Sequence, residues 1–433
     1  MNNAREAEAE RLFEQGNEQY ENDRYEAALP FLQEALAIYR EISDRQGEEK
    51  ALRLLKQSLY VQGESYQSLK DYAKAAEFIQ QSLTISKEID EHEYKQDLCG
   101  FCNLGRVYQE LGEYGKAAES LEQSVTIARE IGAHSKEICP LFSLVTPYIA
   151  LGDYVRAIEV TQHCLNLARE LGRRTDEGGS LVNLGYIYSS QGNYALAIDY
   201  YEQGWAILQD IGCGRDWQME TLIYLGNAYG SMGDCARAID NYQQSLGIAR
   251  QTSDRAREAQ ILSSLGTTFY NLGDCALAIE WHEESLEIVR QMSDHREEGH
   301  TLGRLGINYY NLGNYTKGIN YLEQSLTIAQ ELDDRSWESF ALSHLGTAYD
   351  ALGESAKAID CYQQSLEHGK PSQDTRTLEN LAKAYLSLGD SAQAVEYSQQ
   401  WLAIVRSSGD TKGEEAVLNI LDNALEDYAK TIE

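Results

Sequence analysis

The chain has 433 residues, 42% of them hydrophobic, and its formal net charge of -32 at pH 7 comes from 69 acidic and 37 basic side chains. This charge argues against nucleic acid or an anionic membrane as a partner, because both would be repelled. A well-solvated surface is the simpler explanation of the acidity, and a preference for basic partners is the alternative.

Targeting and membrane signals are missing from the sequence. Residues Met1 to Glu8 lack the apolar core of a secretory signal, and no apolar run approaches the roughly 20 residues of a membrane span. We therefore expect a cytoplasmic protein. The eight cysteines are scattered singly, except that Cys99 and Cys102 form a Cys-x-x-Cys pair. With no second pair and no histidine at ligand spacing, we expect neither metal nor redox chemistry at that pair.

One motif recurs along almost the whole chain. The stretch from Leu302 to Leu326 has near-copies that start at Leu262 and Leu342, a step of 40 residues. A fixed period of this size indicates a solenoid, in which each unit buries its apolar face only against its neighbours. The equivalent positions of ten predicted repeats are Gly16, Gly63, Gly105, Val145, Gly185, Gly226, Gly266, Gly306, Gly346 and Ala382.

These positions divide the chain into predicted units. One elongated domain is expected over residues 1–411, followed by a capping helix at 412–433. The ten repeats within the domain span roughly residues 8–48, 49–92, 93–134, 135–174, 175–214, 215–254, 255–294, 295–334, 335–372 and 373–411.

The first half of each repeat has the pattern of an amphipathic helix. In the third repeat its apolar residues are Phe101, Leu104, Tyr108 and Leu111, spaced three, four and three apart, so that they share one helix face. The small residue among them, Gly105, allows a neighbouring helix to approach closely. A larger side chain at this position should therefore be costly.

A turn follows this helix in most repeats. We expect the first helix to end in a left-handed C-cap at Gly112, Gly152, Gly192, Gly233, Gly273, Gly313, Gly353 and Gly389. The next residue is often Asp or Asn, which can cap a second helix, as at Asp153, Asn193, Asp234, Asp274, Asn314 and Asp390. Two antiparallel helices per repeat are predicted.

The second helix carries small residues at a fixed phase. Its Ser-Leu pairs include Ser82-Leu83, Ser245-Leu246, Ser285-Leu286, Ser325-Leu326 and Ser365-Leu366. These small residues permit close helix crossing. His282 occupies a position where other repeats have Tyr201, Tyr242 and Tyr362, so we interpret it as a packed core histidine.

The combined pattern resembles the tetratricopeptide repeat. The shared features are Leu-Gly-x-x-Tyr, a Gly-Asp/Asn-Tyr turn eight residues further on, and the later Ala and Ser/Ala-Leu positions, over about residues 8 to 407. The period of 40 residues exceeds the usual value of about 34. This long variant is similar to the repeats of the Pins/LGN scaffolds, rapsyn, kinesin light chain and many bacterial tetratricopeptide proteins. The resemblance implies an all-α, right-handed superhelix.

The same resemblance implies a binding face. In this family the first helices line a concave groove, and residues near the aligned Gly point into it. Carried onto this chain, the partner-binding residues are Tyr60, Arg106, Tyr186, Asn227, Thr267, Tyr270, His300, Arg304, Tyr310, His344 and Thr347. The groove is apolar and aromatic in its first half and small and polar from Ser263 onward, which suits an extended peptide or a helix with an apolar anchor.

A chaperone-tail binding mode is not expected. That mode needs Lys and Arg at matching positions of successive repeats to hold a terminal carboxylate. The corresponding residues of this chain are Phe13, Tyr60, Cys102, Phe142 and Val182.

We expect a non-enzymatic scaffold that binds protein segments and needs no cofactor. The chain has no phosphate-binding glycine loop and no Ser or Cys paired with His and a carboxylate in a recognisable context. One alternative is a peptide-sensing regulator whose superhelix changes pitch, although such regulators carry an N-terminal effector domain and the first repeat begins by about residue 8. Another is an assembly subunit of a larger complex. Residues after Leu402 leave no room for the G-protein motifs of the Pins/LGN group.

Overall fold

The computed structural model describes residues 2–212, 214–368 and 375–432. Over these residues the chain forms 22 α-helices and one 3-10 turn, with no β-strand. The all-α fold class predicted from the sequence is confirmed. The predicted boundary between the ninth and tenth repeats, at residues 372 and 373, and the last residue of the predicted capping helix lie outside the described part.

The chain divides into two compact units, Met1–Ala228 and Tyr229–Glu433. Helices of the first unit are α1 (Asn2–Glu21), α2 (Tyr25–Glu41), α3 (Arg45–Ser68), α4 (Tyr72–Ile89), α5 (Glu91–Gln96), α6 (Leu98–Glu110), α7 (Tyr114–Glu130), α8 (Ile138–Ala150), α9 (Tyr154–Glu170), α10 (Arg174–Ser190) and α11 (Tyr194–Ile211), with a 3-10 turn at His134–Lys136. Helix α12 (Arg215–Ser231) contains the division. Helices of the second unit are α13 (Cys235–Thr252), α14 (Arg255–Asn271), α15 (Cys275–Met292), α16 (His295–Asn311), α17 (Tyr315–Glu331), α18 (Arg335–Ala351), α19 (Ser355–His368), α20 (Thr375–Ser387), α21 (Ser391–Ser408) and α22 (Thr411–Ile432).

Helix pairs are the packing units. In the first unit α1 packs on α2, α3 on α4, α6 on α7, α8 on α9 and α10 on α11, and in the second unit α14 packs on α15, α16 on α17, α18 on α19 and α20 on α21. Within each unit, second helices also pack on the first helix of the next pair, as α7 does on α8 and α15 on α16. Each pair therefore buries its apolar faces against its sequence neighbours.

The predicted turns are confirmed. All eight predicted turn glycines have φ between 73° and 82°, a left-handed conformation that costs glycine little. All six predicted Asp and Asn residues accept a hydrogen bond from the backbone N–H three positions later. In the second repeat Lys70 occupies the left-handed position instead, with φ of 61°.

The close helix approach at the aligned glycine is also seen. A Cβ atom added to Gly306 would lie 2.6 Å from Leu322 Cγ and 3.0 Å from the carbonyl oxygen of Gly318. The same position in the preceding repeat, Gly266, faces the ring of His282. His282 is 1% exposed, so its prediction as a packed core residue is confirmed.

The serine of the Ser-Leu pair allows close helix packing and also forms a hydrogen bond between the two helices. Ser285 is buried and its Oγ donates to the carbonyl oxygen of Ala259, 26 residues earlier on the paired helix, at 2.9 Å. Equivalent bonds run from Ser82 to Lys56, Ser124 to Leu98, Ser325 to Gly299 and Ser365 to Ser339. Each of these buried hydroxyls thus has a hydrogen-bond acceptor, and the bond links the two helices of one pair.

An ion pair recurs where one repeat meets the next. An arginine near the end of the second helix donates to a glutamate eight residues later, which lies at or near the start of the next long helix. The pairs are Arg40–Glu48, Arg129–Glu137, Arg169–Glu177, Arg250–Glu258, Arg290–Glu298 and Arg406–Glu414.

The last helix, α22, packs on α21 and α20. Its Val417 is fully buried in a cluster with Leu378, Trp401 and Val405. Leu425, which the sequence places on the same apolar face, remains 44% exposed. Across the described residues, no helix combines the length and apolar character that a membrane span requires.

Candidate partner-binding surface

All eleven predicted binding residues lie on the first helices of the pairs or on α12. We call this the first-helix surface. Tyr60 is on α3, Arg106 on α6, Tyr186 on α10, Asn227 on α12, Thr267 and Tyr270 on α14, His300, Arg304 and Tyr310 on α16, and His344 and Thr347 on α18. Arg106, Tyr186, Asn227, Thr267 and Tyr270 are exposed, and the other six are half-buried. Tyr60, Arg106, Tyr186 and Asn227 belong to the first unit, and the other seven residues belong to the second.

The first unit has a surface pocket of about 660 Å³ that includes two of the predicted residues, Tyr60 and Arg106. Its lining comes from α3, α6, the 3-10 turn at His134–Lys136 and the start of α8. The full lining is Tyr60, Glu64, Gln67, Ser68, Leu98, Cys99, Cys102, Asn103, Arg106, Lys136, Cys139 and Pro140. Below we call this the α3–α6–α8 pocket.

The polar groups of the α3–α6–α8 pocket are of mixed character. Burial, together with the charge of Glu64, raises the pKa of Tyr60 to about 12, so its hydroxyl stays protonated at neutral pH. Arg106 and Lys136 add positive charge to a chain that is strongly acidic overall. An acceptor-rich segment with an apolar side chain matches these walls.

The pocket also brings together cysteines from different repeats. Cys102 Sγ lies 3.6 Å from Cys139 Sγ, which belongs to the first helix of the next pair. The sequence gives no sign of this contact, because Cys102 and Cys139 are 37 residues apart and belong to different repeats.

Tyr186 belongs to a stack of tyrosines in the first unit. Its ring centroid lies 5.6 Å from that of Tyr224, which in turn stacks on Tyr201 at 5.6 Å. Tyr201 is almost completely buried against Gly185. The exposed ring of Tyr186 therefore packs on Tyr224, which in turn packs on the buried Tyr201.

In the second unit, Arg304 joins two first helices. Its Nη1 donates to Ser263 Oγ on α14 at 2.8 Å and to Glu297 Oε1 on its own helix at 3.1 Å. Burial tends to raise the pKa of Glu297, but His300 and Arg304 outweigh it, and the net result is a lowered pKa. Arg304 is thus held in one orientation while its side chain stays partly exposed to solvent.

A row of four rings crosses from α16 to α18. The His300 ring lies 4.2 Å from Trp337, Trp337 stacks on Phe340 at 4.5 Å, and Phe340 meets the edge of His344 at 4.5 Å. All four side chains are half-buried. We call this set the aromatic row.

Sequence reasoning selected the two histidines of the aromatic row and missed Trp337 and Phe340. A signal was present, since residues 337, 340 and 344 are spaced three and four apart and so share one face of α18. Trp337 lies near the start of α18, nine residues before the aligned Gly346.

His344 is fixed at the far end of the row. Arg376 Nη2 on α20 lies 3.3 Å from its Nε2, which accepts this hydrogen bond. Burial, assisted by the Arg376 charge, lowers the pKa of His344 to about 4. The imidazole is therefore neutral at physiological pH, with one ring nitrogen committed to Arg376.

The remaining predicted residues of the second unit make contacts within and between repeats. Thr347 Oγ1 accepts from Asn380 Nδ2 on α20 at 3.4 Å, and the Tyr270 hydroxyl accepts from Asn311 Nδ2 on α16 at 3.4 Å. Tyr310 packs against the ring of Tyr315. The bonds of Thr347 and Tyr270 join the first helices of successive repeats, whereas Tyr310 contacts the second helix of its own pair and Thr267 bonds to Ser263 within its own helix.

Metal binding has no support from side-chain grouping. In the described part of the chain, no three His, Cys, Asp or Glu side chains are grouped so as to hold a metal ion.

Comparison with known proteins places the chain in a family. One tetratricopeptide repeat model matches residues 57–130, 145–210, 217–291 and 297–370, and two others match residues 344–409 and 20–46. No curated protein sequence matches the chain.

Similar solved structures include a Signal Transduction ATPase with Numerous Domains protein with a tetratricopeptide repeat sensor, from Pyrococcus horikoshii. It is 14% identical with a TM-score of 0.55, and the alignment covers 83% of this chain and 52% of that one. The apo form of RapI is 15% identical with a TM-score of 0.50, covering 64% of this chain and 99% of RapI. At these identities the likeness concerns the fold. Because family models match well over half of its residues, the chain belongs to the tetratricopeptide repeat family.

Proposed function

We propose that this protein is a non-enzymatic interaction scaffold that binds a peptide or helical segment of a partner protein on its first-helix surface. Stacked repeats of this kind present extended surfaces that serve as binding faces. The observation that carries the proposal is the aromatic row beside Arg304. It combines half-exposed rings with an oriented, partly exposed guanidinium on adjacent first helices.

The chemistry of this surface suits an extended segment with an apolar anchor. The rings of the aromatic row offer an apolar surface, and the guanidinium of Arg304 offers its remaining N–H donors to backbone carbonyl groups. Because Arg304 is already held by Ser263 and Glu297, binding loses less side-chain entropy than it would with a free arginine. The acidity of the chain adds attraction for a basic partner.

Affinity purification with matched baits tests the proposal. One bait is the unaltered chain, a second carries Arg106→Glu with Tyr186→Ala, and a third carries Tyr270→Ala with Arg304→Glu. A control bait carries Leu277→Ala, Lys317→Glu and Asn320→Ala, all exposed positions on second helices. Circular dichroism must first show equal helix content for all four.

We expect specific proteins to be lost with the second or third bait and retained with the control, which also shows which unit binds. A photoreactive phenylalanine analogue at Tyr270 should then cross-link to the recovered partner, whereas the same analogue at Leu277 should not. Equal recovery with all four baits would refute the first-helix surface as the binding site. Partners in fixed stoichiometry on gel filtration of native lysate would instead indicate an assembly subunit.

A further inference from the structure

Two thiols meet inside the α3–α6–α8 pocket. Cys102 on α6 and Cys139 on α8 place their sulfur atoms 3.6 Å apart, and both are free thiols. Cys102 is 7% exposed, whereas Cys139 is open to solvent. The pair thus combines one accessible sulfur with a second one held directly behind it.

The surroundings make the two sulfurs unequal. The hydrogen bond from the Cys102 thiol, reinforced by the nearby Arg106 guanidinium, lowers the pKa of Cys139 to about 6 against the opposing effects of burial and Asp176. The same contact, together with burial, raises the pKa of Cys102. Cys139 is therefore the nucleophilic thiolate and Cys102 retains its proton.

We propose that Cys102 and Cys139 form an oxidation site, at which a hydroperoxide converts the two thiols into a disulfide that joins α6 to α8. The proposal is independent of the scaffold function, since it concerns the chemistry of the pair alone.

The reaction proceeds in two balanced steps. The Cys139 thiolate attacks one peroxide oxygen, the O–O bond breaks, and the released alkoxide or hydroxide takes up a proton, which leaves Cys139 as a sulfenic acid. Cys102 sulfur then attacks Cys139 sulfur, the S–O bond breaks, and water leaves with the Cys102 proton. Two thiols lose two electrons, and the hydroperoxide gains them to give an alcohol and water.

The geometry favours a disulfide between Cys102 and Cys139 over one that involves another cysteine. A disulfide needs sulfurs about 2.05 Å apart, so the pair must close by roughly 1.5 Å, within reach of side-chain rotation and a small helix shift. Cys164 is buried and Cys361 is largely so, and burial raises the pKa of both thiols. Cys99 lies on the same pocket wall and is the competing partner.

Peptide mapping of the intact chain shows whether the disulfide joins Cys139 to Cys102 or involves Cys99. The reduced protein is treated with an equimolar amount of hydrogen peroxide, blocked with iodoacetamide in denaturant, and digested with trypsin. Cleavage after Lys95, Arg106, Lys136 and Arg156 separates residues 96–106, which contain Cys99 and Cys102, from residues 137–156, which contain Cys139. We expect these two peptides to appear joined, with the loss of two hydrogens.

Three variants assign the sulfurs, each checked first for unchanged helix content by circular dichroism. Cys99→Ser should keep the joined peptide, and Cys139→Ser should abolish it. Cys102→Ser should stop the second step, so that a sulfenic-acid reagent such as dimedone labels Cys139. A joined peptide that depends on Cys99, a disulfide within residues 96–106, or Cys102→Ser protein in which dimedone labels Cys139 no more than Cys99 would each overturn the proposal.

Discussion

The hydroxyl of Ser325 donates to the carbonyl oxygen of Gly299 at 2.7 Å and accepts from Trp337 Nε1 at 3.0 Å. One buried atom therefore joins the two helices of a pair and also fixes the indole of the aromatic row to them. This link connects the repeat framework to the surface that we propose binds a partner.

Ser325→Ala should destabilise the second unit and loosen Trp337. It removes one hydrogen bond and leaves a buried carbonyl and an indole N–H without their partner, at a cost of about 1–3 kcal/mol in the free energy of unfolding. Ser285→Ala should cost less, since Ser285 has the carbonyl bond without the indole. Thr327→Ala is the control, because Thr327 is exposed and bonds only within its own helix. Urea unfolding measures all three, and a Ser325→Ala effect no larger than that of Thr327→Ala would contradict this account.

Two glycine-to-alanine changes should have opposite signs. Gly306→Ala places a methyl group 2.6 Å from Leu322 Cγ and close to backbone, so we expect a loss of about 1–3 kcal/mol in stability. Gly247 lies within α13 with no atom within 4 Å of an added Cβ. Gly247→Ala should therefore raise stability by about 0.5–1 kcal/mol, because alanine loses less backbone entropy in a helix. Thermal unfolding of the two variants tests the difference in sign.

His282→Tyr should make the protein less sensitive to acid. Burial, with the Arg304 charge, lowers the pKa of His282 from an ordinary 6.5 to about 3. Between pH 6.5 and pH 3, His282 is protonated in the unfolded chain but stays neutral in the folded chain. Acid therefore favours the unfolded state, and the free energy of unfolding decreases as the pH falls through this range. The loss amounts to roughly 2 kcal/mol between pH 7 and pH 5.

Tyrosine should fit at this position, because Tyr201 and Tyr362 fill the same place against Gly185 and Gly346. The test compares the free energy of unfolding of His282→Tyr and the unaltered chain at pH 7 and pH 5. Equal losses on acidification in both proteins would mean that His282 does not carry the effect.

Alkylation of Cys139 should extend to unusually low pH. With its pKa lowered to about 6, Cys139 is half thiolate at pH 6, and even after allowing for weaker intrinsic nucleophilicity it should react roughly tenfold faster there than a model cysteine peptide. Arg106→Gln should move the midpoint of the rate profile to higher pH, since the guanidinium stabilises the thiolate. Rates of iodoacetamide labelling from pH 5 to pH 9 measure both. A profile centred on the ordinary thiol pKa would contradict the assigned reactivity.

Features that one backbone position dictates could be predicted from the sequence. A left-handed residue followed by a cap admits few residue types, so Gly313 and Asn314 marked their turn directly. The tight contact at Gly306 was predictable for the same reason, because only a small residue fits there. The placement of the site residues on first helices followed from the same register.

Side-chain contacts between helices could not be predicted in the same way. The serine of the Ser-Leu pair was read for its size, since its acceptor lies 26 residues away and is a backbone carbonyl with no sequence signature. Cys102 and Cys139 are 37 residues apart, and their contact depends on how α6 and α8 lie against each other. The repeat period and composition predict each helix pair, whereas contacts between distant side chains depend on how the helices pack in three dimensions.

The constant step of 40 residues in the second unit has an evolutionary consequence. From Gly266 to Gly346 each block has the same length, and the serine-to-carbonyl bond recurs in each as Ser285–Ala259, Ser325–Gly299 and Ser365–Ser339. Loss or duplication of one such block in the gene rejoins surfaces that already match. Unequal crossing-over at this spacing would therefore add or remove one whole helix pair at a time, and the first-helix surface would lengthen or shorten by one helix.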